Sequence, residues 1–273
     1  MLINKELCIG CTKCIKDCPV NDITMTEDKK AEIKNKRCLE CGHCIAVCPV
    51  AAPYSETYDM TEVIPYNKEE FEISPERLLN FIKFRRSVRS FTKEPVAPEL
   101  LSQIIEAGRF TPTGRNLQEV SYIVVTEQLK KVKDMMYAAL DKKADAILSA
   151  EGEMPEASTM YARIWKAMYR NYQAAPDEKD GLFFHAPAVI FVAGKSRTDA
   201  ALASSNMELM INALGLGAFY CGFGILAVND DPNIREFLGL ADGITVESCL
   251  VIGHPAVTYR RTVPRQKPNI KWF

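Results

Sequence analysis

One cysteine pattern near the amino terminus constrains this chain more than any other feature. The run Cys-x2-Cys-x2-Cys-x3-Cys-Pro-Val begins at Cys8 and is repeated from Cys38. Thiolate is the soft ligand that iron–sulfur clusters require, and in this run the fourth cysteine ligates the other of two clusters. The pattern therefore predicts two [4Fe–4S] clusters. The first would be held by Cys8, Cys11, Cys14 and Cys48, and the second by Cys38, Cys41, Cys44 and Cys18.

Two other uses of cysteine fit this pattern less well. Structural zinc takes four ligands, usually from two separated pairs, and eight cysteines in two identical runs exceed that need. Disulfides stabilise small secreted domains, but no signal-peptide pattern precedes Cys8. The repeated run instead resembles that of a bacterial-type two-cluster ferredoxin.

The distribution of cysteine along the 273 residues predicts two modules. Eight of the ten cysteines lie in the first 48 residues, so a small metal-stabilised module precedes a larger one with an ordinary core. We expect a ferredoxin-type domain at residues 1–57, an acidic linker at 58–75 and a second domain at 76–273. Clusters and free thiols favour a reducing cytoplasm and a low-oxygen habitat, as in an anaerobe.

Charge and hydropathy give no indication of a nucleic-acid or membrane partner. The formal net charge is -1, which lacks the strong basic excess of a nucleic-acid-binding chain. Residues 209–228 carry no charged side chain and are long enough to cross a bilayer, but glycines interrupt them. We interpret this run as a buried helix end, a turn and a buried strand.

Helix-start signals and apolar periodicity predict an α+β fold for the larger domain. Ser74-Pro75, Pro98 and Asp231-Pro232 are typical of helix starts. Strands are predicted at residues 120–126, 188–193 and 244–252, and helices over much of 127–173 and at 199–214. Four aromatic residues share one helical face of the 127–173 region, namely Tyr161, Trp165, Tyr169 and Tyr172. They either pack in a core or dimer interface or form a lid over a flat substrate.

Three polar segments of this domain carry candidate binding groups. Residues 85–89 (Arg-Arg-Ser-Val-Arg) place cations around a hydroxyl, a pattern that can hold a phosphate. Residues 111–118 supply hydroxyls and two carboxamides, which present donors and acceptors together. The tail after Tyr259 is basic. Each segment also has an ordinary interpretation, as a solvated surface, a turn or a patch of charge.

Together with further motifs, these segments resemble the nitroreductase-like FMN family over about residues 76–273. The further motifs are residues 185–190, 206–209, 215–217, 220–223 and 251–255. The resemblance implies a homodimer with FMN at each subunit interface. The implied FMN residues are Arg85, Arg86, Ser87, Arg89, Pro112, Thr113, Gly114, Asn116, Gln118, Tyr220, Cys221, Gly222, Arg265 and Lys267.

The resemblance also implies roles within this set. Arg85 and Ser87, with Arg86 between them, would hold the phosphate and ribityl end, and Arg265 and Lys267 would close on the phosphate. Arg89 would face the pyrimidine side of the ring, and residues 112–118 would come from the partner subunit. Residues 220–222 would line the N5 side.

Single cysteines and histidines of the larger domain have structural rather than chemical interpretations. The backbone N–H of Cys221 is the candidate donor to flavin N5, while its thiol and that of Cys249 are expected in the core. We interpret His185 and His254 as turn or core residues. The chemistry is the cofactor's, and no catalytic side chain is assigned.

These features predict a flavin- and iron–sulfur-dependent oxidoreductase. Electrons from ferredoxin, flavodoxin or NAD(P)H would pass through the clusters and FMN to a small electron-poor acceptor such as a nitroaromatic, quinone or enone. No G-x-G-x-x-G run marks a dinucleotide-binding module. The alternative is an electron-transfer adaptor between protein partners, without its own small-molecule substrate. A redox sensor is less favoured, because no DNA-reading motif is present.

Overall fold

The computed structural model describes residues 1–152 and 154–273, which form two compact units. Unit 1 comprises Met1–Ile73 together with Thr113–Leu117, and unit 2 comprises Ser74–Pro112 and Gln118–Phe273. A short segment of the middle of the chain therefore belongs to the amino-terminal unit.

Unit 1 is built from two similar halves. Its strands are β1 (Leu2–Ile3), β2 (Ile23–Met25), β3 (Ala31–Ile33) and β4 (Pro53–Tyr54), and its helices are α1 (Lys13–Asp17) and α2 (His43–Ala46). The strands pair antiparallel as β1 with β4 and β2 with β3. Each helix begins inside a cysteine run, after a left-handed residue that turns the chain: Thr12 (φ 64°) or Gly42 (φ 74°).

The apolar core of unit 1 is small. Its buried residues are Met1, Ile23, Ala31 and Ala52, with the cysteines Cys8, Cys14 and Cys44. So few apolar side chains leave a domain of this size marginal, and metal binding is the usual remedy. The stretch that follows contains a 3-10 turn (Met60–Glu62) and α3 (Lys68–Phe71), neither with a buried residue.

Unit 2 has mixed helices and strands, as predicted. The helices are α4 (Pro75–Phe84), α5 (Pro98–Arg109), α6 (Leu129–Leu148), α7 (Glu156–Ala174), α8 (Arg197–Ala213), α9 (Gly222–Asp230) and α10 (Pro232–Phe237). The strands are β5 (Ser121–Val125), β6 (Ala188–Gly194), β7 (Gly217–Tyr220) and β8 (Thr245–Gly253). Ser74 and Asp231 cap their helices through side-chain oxygens, which confirms two of the predicted helix starts.

The sheet of unit 2 is antiparallel in the order β5-β6-β8-β7 and lies between two helical layers. Every residue of β6 is buried. Val189 and Phe191 face the core that includes residues of α6, α7 and α9, whereas Ile190 and Val192 face the core with α5 and α8. This alternation follows from the two-residue period of a strand.

The apolar run at 209–228 folds differently from the prediction in its second half. It forms the end of α8, a turn at Gly215 (φ 74°) and β7, but then the helix α9 instead of further strand. Gly224 explains the close packing of α9, since a Cβ there would lie 2.8 Å from the Cys249 sulfur. Within residues 1–152 and 154–273, no helix combines the length and hydrophobicity of a membrane span.

Trp165 and Tyr172 on the aromatic face of α7 pack into the core, whereas Tyr161 on the same face is 42% exposed. Tyr172 stacks on Tyr137 of α6 with ring centroids 4.3 Å apart, and Trp165 meets Phe223 of α9 edge-on. Trp165 and Tyr172 are buried. The core interpretation of these two aromatic residues is therefore confirmed.

Candidate functional site

Unit 1 contains two cavities, each lined by four cysteine thiols. Cys8, Cys11, Cys14 and Cys48 line one cavity. Cys18, Cys38, Cys41 and Cys44 line the other. The fold thus brings the fourth cysteine of each run to the three leading cysteines of the other run.

Backbone N–H groups point at several of these sulfurs. Asp22 N lies 3.3 Å from Cys18 Sγ, and Ala52 N lies 3.4 Å from Cys48 Sγ. Ala31 N lies 3.4 Å from Cys8 Sγ. Such donors stabilise thiolate ligands and help to set a cluster's potential.

Burial and neighbouring charges act on the thiols in opposite directions. Burial raises the pKa of the Cys44 thiol to about 11, and burial also raises the pKa of Cys14. At Cys8 burial acts the same way, but the N–H groups of Ala31 and Gly10 and the nearby Lys30 outweigh it and lower the pKa. Cys8, Cys14 and Cys44 are buried, and metal binding would displace the protons of these thiols.

Four cysteine thiols surround each cavity. Four soft ligands around a space match a cubane in which each iron takes one thiolate.

In unit 2, the chain at 85–92 extends the sheet beside β7. Ser87 forms a parallel bridge with Ala218, and Val88 N donates to Ala218 O at 2.9 Å. Further along, Thr92 N donates to His254 O at 2.8 Å. Val88 is buried against Gly217, where a Cβ would lie only 2.7 Å from the Val88 side chain. The glycine therefore permits the close approach that fixes this segment.

The first arginine of this segment is ion-paired. Arg85 donates to Glu208 Oε1 at 2.7 Å, and both side chains are largely buried. Burial raises the pKa of Glu208, partly offset by Arg85. The Tyr220 hydroxyl, close to the same carboxylate, donates to Ser204 O at 3.0 Å. Arg85, Arg86 and Glu208 line a cleft of about 500 Å³, within the range of small-molecule sites.

The last arginine of the segment lines a different cavity. The Arg89 guanidinium lies 5.1 Å from the centroid of the Phe219 ring, a cation–π distance. Arg89 and His185 line a cavity of about 440 Å³. Phe184 and His185 both have positive φ, at 53° and 61°, which is rare for such side chains.

A buried carboxylate holds this left-handed turn. Asp180 accepts hydrogen bonds from the N–H groups of Leu182, Phe183 and His185 and pairs with Lys133 at 2.8 Å. Burial acts to raise the pKa of Asp180, but Lys133 and the N–H donors outweigh burial and lower it. The anion therefore organises the wall of the Arg89 cavity.

One predicted role is corrected by the structure. Cys221 N donates to Cys249 O at 2.8 Å and so is already used within the fold. The next residue, Gly222, is exposed and begins α9, with open space where a Cβ would be. The first N–H groups of a helix have no intrahelical acceptor, so Gly222 replaces Cys221 as the candidate donor. The thiols of Cys221 and Cys249 are buried, as expected.

The predicted residues at 112–118 are divided between the units. Pro112 and Gln118 belong to unit 2, and Thr113, Gly114 and Asn116 to unit 1. Within unit 1, the Asn116 carboxamide donates to Leu39 O and Glu40 O, each at 3.1 Å. Asn116 and Gln118 have positive φ, a strained geometry typical of functional turns.

The remaining predicted residues lie at the end of the chain. Arg265 and Lys267 are exposed in a stretch without helix or strand. The structure thus brings Arg85, Arg86, Ser87 and Arg89 beside β7.

Two residues that organise the site were not predicted. Glu208 lies within the motif at residues 206–209. Its single charge among uncharged residues of a helix was a signal that it has a buried partner. Asp180 lies in a polar stretch among other acids, where no sequence signal distinguished it.

The chain belongs to the nitroreductase family. A sequence profile of the nitroreductase family matches residues 82–254, and a profile of the 4Fe-4S dicluster domain matches residues 1–49. The predicted fusion of a ferredoxin-type module to a nitroreductase-like domain is therefore confirmed.

Individual relatives agree with this assignment. The Bacillus subtilis (strain 168) protein named FMN reductase (NAD(P)H) is 29% identical over 172 residues, 63% of each chain's length. A Staphylococcus aureus (strain USA300) NADPH-dependent oxidoreductase is 23% identical over 66% of each chain. This chain therefore spans less than two thirds of the length of the B. subtilis relative.

Solved structures show the same fold. The FMN-bound nitroreductase of Desulfitobacterium hafniense DCB-2 superposes with a TM-score of 0.53 at 24% identity, covering 71% of this chain and 97% of that one. The FMN-bound nitroreductase of Bacteroides fragilis NCTC 9343 gives 0.52 at 21% identity, with the same coverage. The predicted α+β class is thus confirmed.

Proposed function

We propose that this protein is an oxidoreductase that depends on FMN and two [4Fe–4S] clusters. It takes electrons from a low-potential donor and passes them through the clusters and FMN to a nitroaromatic, quinone or enone. The proposal rests on one observation: the chain that contains the two four-thiol cavities also contains the cationic segment 85–89, which is fixed beside β7. Bound clusters supply one-electron transfer, and bound flavin supplies conversion between one- and two-electron chemistry.

The protein's own part is to bind and orient these groups. Arg85, Arg86 and Ser87 would hold the phosphate end, and the Arg89 cation would favour negative charge on the reduced ring. The N–H of Gly222 would donate to the ring. The cluster ligands would be the two cysteine sets that line the cavities, Cys8, Cys11, Cys14, Cys48 and Cys18, Cys38, Cys41, Cys44.

We also propose a homodimer with FMN at the interface. Helix α4 supports it, because it has no buried residue and exposes Leu78, Leu79 and Ile82. Exposed apolar faces of this kind mark interfaces. In the dimer, Pro112, Thr113, Gly114, Asn116 and Gln118 would reach the partner's FMN, and Arg265 and Lys267 would close on the phosphate.

The electron donor is a reduced ferredoxin or flavodoxin, or NAD(P)H. The names of the B. subtilis and S. aureus relatives favour NAD(P)H, whereas the four-thiol cavities favour a one-electron carrier. Anaerobic titration of the purified protein with NADH, NADPH and reduced ferredoxin separates these donors. Because exposed clusters need reducing conditions, we place the protein in the cytoplasm of an anaerobe.

A test of the flavin site uses the phosphate that distinguishes FMN from riboflavin. Arg85→Met removes a charge-assisted hydrogen bond worth about 1.5–3 kcal/mol, so the Kd for FMN should rise roughly 10- to 150-fold. The Kd for riboflavin should stay within about twofold. Arg197→Met is the matched control, because Arg197 also pairs with a glutamate but its side chain is 87% exposed. Equal losses for FMN and riboflavin, or a loss in Arg197→Met, would place the phosphate elsewhere.

One observation favours the alternative of an electron-transfer adaptor. Trp165 and Tyr172 pack in the core, so two of the four aromatic residues of α7 are not available as a lid over a flat substrate, and Tyr161 is exposed. Steady-state reduction of nitroaromatics, quinones and enones by the donor-reduced protein decides between the two. Turnover with none of them, with rapid reduction of a second carrier protein, supports the adaptor.

A further inference from the structure

The two cysteine repeats differ in how much of their loops solvent reaches. In the first repeat, Cys11 is exposed, and the apolar side chains of Leu7 and Ile9 are 48% and 63% exposed. At the matching positions of the second repeat, Leu39 and Cys41 are half-buried, and the exposed Arg37 stands in place of the apolar Leu7. Apolar side chains exposed beside a buried metal ligand are the kind of surface that a partner covers.

The second repeat is covered by the segment inserted from the middle of the chain. The side-chain Nδ2 of Asn116 donates hydrogen bonds to the carbonyl oxygens of Leu39 and Glu40, each at 3.1 Å. These residues lie between the ligands Cys38 and Cys41. Because Thr113, Gly114 and Asn116 of unit 1 are predicted FMN contacts, the loop of the second cluster is hydrogen-bonded to a segment that is predicted to bind FMN.

The first repeat carries excess positive charge around its apolar centre. Residues 5–18 contain the exposed lysines Lys5, Lys13 and Lys16 and two acids, Glu6 and Asp17, of which Asp17 lies 3.3 Å from His43 Nδ1. From the neighbouring hairpin, Lys30 Nζ donates to Cys8 O at 2.5 Å. The same hairpin also carries Glu27, Asp28 and Glu32, of which Glu32 pairs with Lys34.

We propose that the two clusters occupy fixed and different positions in the electron path. The cluster of Cys8, Cys11, Cys14 and Cys48 is reduced first, by an acidic one-electron carrier protein that docks on Leu7, Ile9 and the surrounding lysines. The cluster of Cys38, Cys41, Cys44 and Cys18 then passes the electron toward the flavin. Each docking event moves one electron from the reduced carrier to the first cluster, with no bond made or broken. The inference rests on the proposed function and gives it a partner and a direction.

Charge complementarity identifies the occupant. An apolar centre surrounded by lysines is complementary to the negative surface of an acidic carrier protein. The attraction between these charges steers the two proteins together and raises the association rate. Electron-transfer partners bury small interfaces, below about 1,200 Å², so a few exposed side chains suffice. Such an interface is weak and salt-sensitive.

The test compares two charge reversals of equal size on the same module. Lys5→Glu with Lys13→Glu alters the first face, and Lys36→Glu with Arg37→Glu, also exposed, is the control on the second repeat. Cluster reduction is followed by absorbance in anaerobic stopped-flow, with a reduced acidic two-cluster ferredoxin as donor at several salt concentrations. Reduced methyl viologen serves as the small-molecule donor.

We expect the Lys5/Lys13 reversal to slow reduction by the ferredoxin at least tenfold at low salt and to flatten its salt dependence. The control should stay within twofold, and methyl viologen should reduce both at the wild-type rate or faster. Equal slowing in both variants, or no slowing in the first, overturns the docking site. If the reversal lowers iron content, the milder pair Lys5→Gln and Lys13→Gln is used, with a smaller slowing expected in the same direction.

A second variant tests the direction of transfer. Cys18→Ala removes a ligand of the second cluster, so it should leave reduction of the first cluster by the ferredoxin within twofold and slow the later bleaching of flavin at least tenfold. Flavin bleaching at the wild-type rate in Cys18→Ala would overturn the proposed order of the clusters. Docking of the carrier is measured only by the bleaching of the clusters. A failure of the proposed function would appear instead as absent flavin or absent acceptor turnover, so the two failures are distinguishable.

Discussion

Replacing the buried carboxylate of Asp180 tests how the wall of the Arg89 cavity is stabilised. Asp180→Asn keeps the side-chain size and one oxygen acceptor but removes the negative charge. Its partner Lys133 is only 13% exposed, and the Asp180 side chain is fully buried. The variant therefore leaves a largely buried ammonium without its counter-charge.

The expected loss is large relative to total stability. Removing one partner of a buried ion pair costs about 3–5 kcal/mol, against a typical total of roughly 5–15 kcal/mol. For a domain of this size each kcal/mol lowers Tm by about 2–4 °C, so Tm should fall by roughly 6–20 °C. The measurement is anaerobic urea and thermal unfolding of the full-length protein, followed by near-ultraviolet circular dichroism.

Lys133→Met combined with Asp180→Asn is the matched control. Removing both charges should recover part of the loss, with a coupling of about 0.5–3 kcal/mol in the double-mutant cycle. If Asp180→Asn unfolds within about 1 kcal/mol of wild type, the ion pair does not stabilise this wall and the reasoning is wrong.

The same pair predicts a dependence on pH. The pKa of Asp180 is lowered from its ordinary 3.8, so the folded state favours the ionised form. Its stabilising contribution is present above the ordinary value and is lost as pH falls through the lower, folded-state pKa. In Asp180→Asn this acid-dependent loss should be smaller. An unchanged acid profile would show that other carboxylates dominate.

Two further predictions concern the cluster cavities and the edge segment. Cys18→Ala should remove one ligand of the cluster held by Cys38, Cys41 and Cys44, so that about half of the iron is retained. The electron paramagnetic resonance signal of the cluster held by Cys8, Cys11, Cys14 and Cys48 should remain, and its loss would contradict the crossed ligand sets. Gly217→Ala should cost about 1–3 kcal/mol of unfolding free energy, because its Cβ would meet Val88 at 2.7 Å. Gly181→Ala, whose Cβ would make ordinary contacts at 3.5 Å, should change it by less than about 1 kcal/mol, and equal effects would refute the packing explanation.

Local sequence signals predicted the parts of the fold that local chemistry decides. Helix starts at Ser74 and Asp231 were readable because a capping oxygen and a following proline act within one turn. Helix α9 was missed, because its glycines suggested turn and strand. Gly224 is instead needed for close packing against Cys249 in β8, a tertiary reason that no local window contains.

The same division holds in the candidate site. The cysteine spacing predicted which thiols would meet, because the first three cysteines of each run are close in sequence and the second run supplies the fourth ligand. The Cys221 N–H could not be assigned from sequence, because its acceptor, Cys249 O, lies on another strand. The Arg85–Glu208 and Lys133–Asp180 pairs join distant positions for the same reason.

Iron, sulfide and flavin counts on the full-length protein, purified without oxygen, bear on all of these conclusions. Two [4Fe–4S] clusters and one FMN predict about eight irons, eight sulfides and one FMN per chain. A reduced acidic ferredoxin should then deliver about four electrons per chain, two to the clusters and two to the flavin. Four or fewer irons, or no FMN released on denaturation, would contradict a chain in which paired clusters supply a flavin.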